Sequence, residues 1–198
     1  MLDLADHLRH VIEDIVREVP VFSHIDPNRI LISSAKARTS TSDGTWAELF
    51  PMKYENGHYS FRMRRGRWVY VFKTNKLTVK RKEILYILYF YMPRFQNLSF
   101  FQKMETIFHE LYHVSVECDG KLRHMHPRFL FHGPSMRQYD HMIRYWVRYY
   151  LRVISQDRHL QFLQDGFSKL REKHGSVQFE VIPQPREMMR VMASRKKR

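Results

Sequence analysis

The chain has 198 residues, with 34 Lys or Arg against 20 Asp or Glu and a net charge of +14. That length suits one compact domain with a short tail, and 14 Phe with 11 Tyr supply an ample core. The only cysteine, Cys118, excludes an internal disulfide and a Cys-rich zinc ribbon, while the charge points to an acidic partner such as nucleic acid.

Leu4, Leu8, Val11, Ile12, Ile15 and Val19 recur at helical spacing, and Pro20 ends the pattern. The stretch Leu2 to Val19 is predicted to be an amphipathic helix. Its early acids and interrupted apolar pattern do not make a secretory signal. The longest apolar run, Ile84 to Pro93, is too short to span a bilayer. The expected location is therefore cytoplasmic, with no membrane contact.

Asn28 to Lys36 reads as a strand around Ile30 and Ile32. Arg38 to Thr45 reads as a polar loop with Asp-Gly turn chemistry. His58 to Arg64 alternates cleanly, Arg65-Gly66 makes a turn, and Trp68 to Lys73 follows as a second strand. The pair is predicted to be a hairpin with one wet face. From His58 to Lys82 there are nine Lys or Arg and no acid. With aromatics interleaved, such a run suits phosphate contact. The candidate nucleic-acid residues are Arg62, Arg64, Arg65, Arg67, Lys73, Lys80, Arg81 and Lys82.

Ile84 to Met92 is apolar on both faces and is predicted to be a buried strand. It leads into the segment that carries the chemistry. Ser99 and Gln102 form a capping-box pattern, and Phe101, Met104, Phe108 and Leu111 make an apolar stripe. A helix is predicted from about Phe100 to about Cys118, with Gly120 as its stop. Within it lies His109-Glu110-Leu111-Tyr112-His113, the pattern H-E-x-x-H. Residues four apart share a helical face, so His109 and His113 can bind one metal ion. Glu110 lies one step round, where its carboxylate can act as general base on a water activated by zinc.

A third ligand is needed. The candidates, in order, are His132, Asp140 and His126. His132 opens a predicted helix through His132-Gly133-Pro134-Ser135, with Pro suited to the first turn. Tyr139, Met142, Ile143, Trp146, Tyr150 and Ile154 continue that helix as an apolar stripe. Tyr139, His141 and Arg137 are candidate oxyanion donors by position.

A further helix is predicted over roughly Arg158 to Lys173, and a last strand over Ser176 to Ile182. The layout predicts one α+β domain over residues 1–185 and a basic tail over 186–198. There is no internal repeat, Gly-rich phosphate loop or Ser nucleophile motif.

The apolar strand, the HELYH helix and the His132-Gly133-Pro134 start of a following helix resemble the SprT-like zinc metalloproteases. The same order resembles small phage-type metallopeptidase domains. The likeness covers roughly residues 28 to 150. It implies a zincin-like fold, with a small, mostly antiparallel sheet packed against the motif helix and further helices. It also implies zinc held by His109, His113 and His132, Glu110 as general base, and a protein or peptide substrate. The rival expectation is a nucleic-acid-binding protein with a structural or vestigial metal site. The sequence leaves the oligomeric state open.

Overall fold

A computed structural model describes residues 1–37, 43–124, 135–154 and 158–193. In chain order the chain forms strand β1 (Leu2–Asp3), helix α1 (Leu4–Glu18), β2 (Ile30–Lys36) and β3 (Ala47–Pro51). Then come β4 (Ser60–Arg65), β5 (Trp68–Lys73), β6 (Leu77–Val79), β7 (Lys82–Ile84) and β8 (Tyr86–Met92). Helices α2 (Phe100–Tyr112), α3 (Met136–Val153) and α4 (Phe167–His174) follow, then β9 (Val177–Gln178) and β10 (Met188–Ala193).

The expected α+β class holds. β8 is the centre of a three-stranded sheet, parallel to β2 and antiparallel to β3. Antiparallel pairing also joins β4 to β5, β5 to β10 and β6 to β7, while β1 and β9 pair in parallel. Successive side chains of a strand point to opposite faces. Tyr86, Leu88 and Phe90 of β8 face the large core shared with α1, α2 and α3. Ile87 and Tyr89 face a smaller cluster with Met52. Burial on both sides is why β8 carries apolar residues without alternation.

α1 forms because Asp3 caps it, accepting from the backbone of Ala5 at 3.0 Å and Asp6 at 3.2 Å. Its stripe of Leu4, Leu8, Val11, Ile12 and Ile15 is almost fully buried. Among the described residues, no helix is long and apolar enough to cross a membrane.

Several elements depart from the sequence reading. α2 stops at Tyr112 rather than near Cys118, and His113 is its C-cap. The cause is Tyr86 of β8. Its buried hydroxyl donates to the Lys121 carbonyl at 2.8 Å and accepts from Gly120 N–H at 3.0 Å. The Ser115 hydroxyl donates to Asp119 at 2.7 Å. These bonds close a tight turn where a continued helix was expected. α3 begins at Met136 with Ser135 as N-cap; the His132-Gly133-Pro134 opening expected for it lies outside the described residues.

The helix expected over Arg158 to Lys173 is broken. A 3-10 segment, Arg158–Gln164, gives way to α4 at Gly166. Side chains from elsewhere take the carbonyls at the break. Lys103 of α2 donates to Leu163 and Asp165, each at 2.9 Å. Gln96 donates to Phe162 at 2.9 Å and Asp165 at 2.8 Å. The last strand shrinks to Val177–Gln178. The expected tail is, over Met188–Ala193, a strand paired with β5. The hairpin also differs: β4 is exposed along its whole length, so it has two wet faces rather than one.

Candidate metal and peptide site

α2 carries the motif on a rigid support. Ser99 accepts from Gln102 N–H at 3.3 Å, and Gln102 accepts from Ser99 N–H at 3.0 Å, a complete capping box. Met104, Ile107, Phe108 and Leu111 are fully buried beneath it. Burial of that size stabilises by roughly 1.5–3 kcal/mol per side chain, so the helix is held from one flank.

On the other flank, His109 and His113 present their Nε2 atoms 3.1 Å apart. Two nitrogens bound to one tetrahedral zinc stand roughly 3.3 Å apart, from Zn–N bonds of about 2.0–2.1 Å. The pair therefore fits a single divalent ion. Two ring nitrogens so close cannot both carry a proton, which suits two lone pairs directed at one cation. Among the described residues no third His, Cys, Asp or Glu joins them as a metal-binding group. His132 and His126 lie outside the described residues. Asp140, the second candidate, lines the same cleft as His109 and Glu110.

Glu110 is buried and accepts from Leu49 N–H of β3 at 2.8 Å. Burial pushes its carboxyl up to about 7; the Leu49 bond opposes the shift and the Glu48 charge adds to it. A base poised near neutral pH suits proton transfer.

β3 was missing from the sequence reading, although Ala47 and Leu49 alternate with Glu48 and Phe50. It is the edge of the β8 sheet on the site's side. Tyr91 N–H donates to the Trp46 carbonyl and Met52 N–H to Leu85, both at 2.9 Å. The antiparallel pattern then turns the backbone groups of Ala47 and Leu49 away from β8. Arg94, also missed, fixes the entry to β3 by donating to the Thr45 carbonyl at 2.9 Å. An open cleft of about 460 Å³ lies between this edge, α2 and α3. Glu105 and Arg144 on its wall form an ion pair at 3.1 Å.

Of the candidate oxyanion donors, Tyr139 is buried edge-on against His109, with ring centroids 5.1 Å apart. Its hydroxyl donates to the His109 carbonyl at 3.3 Å. Arg137 and His141 line a different groove, beside Val21 and Trp146.

The eight basic candidates do not form one cluster. Arg62, Arg64 and Lys73 share one face of the β4–β5 pair, and Arg65 is on the other. Arg67 lies in the turn, its guanidinium 5.1 Å from the Trp68 ring. Lys80 and Arg81 form the tip of the β6–β7 hairpin, both with positive φ. Lys82 lines a pocket with Asp26 and Glu83, and with the cations Arg29, Lys76 and Arg81.

The sheet, the motif helix packed on it and the facing imidazoles have the form of a zincin-like α+β domain. Over residues 3–171 the chain matches the family described as "Putative phage metallopeptidase", and it belongs to that family. Membership at this level carries a metal-dependent peptidase, hence a metal cofactor and a protein or peptide substrate. No curated protein and no solved structure matches the chain.

Proposed function

We propose that the protein is a zinc-dependent peptidase of the HExxH type, with His109, His113 and His132 as ligands and Glu110 as general base. The observation that carries this reading is the pair of Nε2 atoms 3.1 Å apart beside a buried carboxyl at a strand edge. A divalent ion there supplies a Lewis acid that acidifies water and polarises the scissile carbonyl. An extended peptide lies along β3, pairing with the outward N–H and C=O of Ala47. Glu110 takes the proton of the attacking water on a carboxylate oxygen and passes it to the leaving nitrogen. Leu49 N–H holds that carboxylate in place. Tyr139 packs behind His109 and fixes its ring.

Glu110→Gln tests the assignment. Proteolysis of an unfolded protein substrate is expected to fall about 10²–10⁴-fold while bound metal stays at the wild-type level. Undiminished turnover removes Glu110 from the role. Metal content of His132→Ala and Asp140→Ala discriminates the third ligand: loss in the first alone supports His132.

A second reading, contact with nucleic acid, is favoured by the unbroken basic composition of residues 58–82. It concerns a different part of the molecule and is compatible with peptidase activity.

A further inference from the structure

The sheet formed by β4, β5 and β10 is the part of the molecule the peptidase reading does not use. Its register sorts the side chains into two faces. Phe61 pairs with Phe72 and Met189, and Met63 pairs with Tyr70 and Val191. Arg65 pairs with Trp68. Paired residues share a face, so Trp68, Tyr70 and Phe72 form an aromatic ladder along the central strand. Phe61 extends it sideways: the Phe61 and Phe72 rings are stacked, 5.9 Å apart at 23°. The opposite face carries Arg62, Arg64, Lys73 and Arg190, with the exposed Met188 and Met192 among them.

The aromatic face is open around half-buried Tyr70 and Phe72. Phe61, Met63, Trp68, Met189 and Val191 are between 38% and 57% exposed. Large apolar side chains grouped on one face mark a contact surface. The face is also braced. Tyr54 lies 6.0 Å from Phe61 and donates to Glu187, the residue before β10, at 2.7 Å.

We infer that this face is a stacking platform for single-stranded nucleic acid, with Trp68, Tyr70 and Phe61 meeting unpaired bases and the flanking arginines meeting phosphates. This deepens the second reading above and does not depend on the metal site. Three observations select this occupant. Aromatic side chains spread over a sheet face are how small sheet modules stack two or three unpaired bases, which a duplex hides. Cations on both faces of the sheet suit a flexible polyanion passing round the edge strand β4; a membrane-inserted face has no use for those behind it. Finally, net charge of +14 with no acid between residues 58 and 82 opposes docking a second copy through this surface.

The test uses the full chain carrying Glu110→Gln. Binding of labelled oligo-dT, of a duplex of equal length and of anionic phospholipid vesicles is measured against salt. Oligo-dT is expected to bind at least about tenfold more tightly than duplex, weakening steeply with salt. Trp68→Leu keeps the apolar bulk and is expected to cost about tenfold in oligo-dT affinity at unchanged salt slope. Trp68→Phe keeps a ring and restores most of it. Arg64→Gln is expected to lower the slope by about 0.7. Equal binding of duplex and single strand, with Trp68→Leu neutral, overturns the platform but leaves nucleic-acid contact standing. Binding to vesicles alone, or to none of the three, overturns both.

Discussion

The β8 sheet with α2 and the β4–β5–β10 sheet are built from similar amino acids to opposite ends. Both are rich in aromatics. In the first, Tyr86, Phe90, Phe108 and Phe95 are fully enclosed. In the second, Phe61 and Trp68 are exposed, Tyr70 and Phe72 are half-buried, and most of the arginines lie on the opposite face. Enclosure gives the rigidity a metal site needs, since ligands must be held within a fraction of an ångström. Exposure costs stability and is retained where a surface meets a partner.

This contrast can be broken by substitution. Phe108→Ala is expected to destabilise by about 3–5 kcal/mol in chemical denaturation, from lost burial and the cavity left behind. Phe61→Ala should cost less than about 1 kcal/mol. Comparable costs at the two positions would erase the distinction between framework and surface.

Lys103 sharpens the same comparison through pH. It is 1% exposed, and burial lowers its amine to about 8, with Asp165 opposing the shift. Between about 8 and the usual 10.5 the unfolded chain binds the proton and the folded chain does not. Stability from this group therefore rises with pH across that window and is lost as pH falls through about 8. The difference in unfolding free energy between wild type and Lys103→Met is expected to grow by roughly 3 kcal/mol over the window. A flat difference would mean that the amine is not desolvated as described.

Tyr86→Phe is the smallest change, one oxygen. It leaves Gly120 N–H without its partner, while the Lys121 carbonyl keeps the Ser115 N–H at 3.3 Å, and should cost about 1–3 kcal/mol. Because the turn it closes follows His113 directly, metal affinity should weaken along with stability. Unchanged affinity would show that the end of α2 is set by its own residues.

Those long-range bonds also explain what the sequence could and could not reveal. α1, β8, the start of α2 and the β4–β5 hairpin follow from local periodicity and capping, and the structure has them where the pattern puts them. The end of α2 depends on a tyrosine in another strand. The break at Gly166 depends on Lys103 and Gln96, some sixty residues earlier. β3 is short, ends in Pro51 and gains its meaning only from pairing with β8. The charge of residues 186–198 predicts a tail, yet Met189 and Val191 of β10 complete the aromatic face. At the site, spacing foretold that His109 and His113 share a helix face; it held no trace of the Leu49 bond that orients Glu110.

The central claim is that His109 and His113 hold a metal ion together. Elemental analysis of the purified chain and of His113→Ala, at equal folded concentration, tests it most directly. One zinc per wild-type chain and none in the variant is the predicted result; a metal-free wild type, or a variant that keeps its zinc, would contradict it.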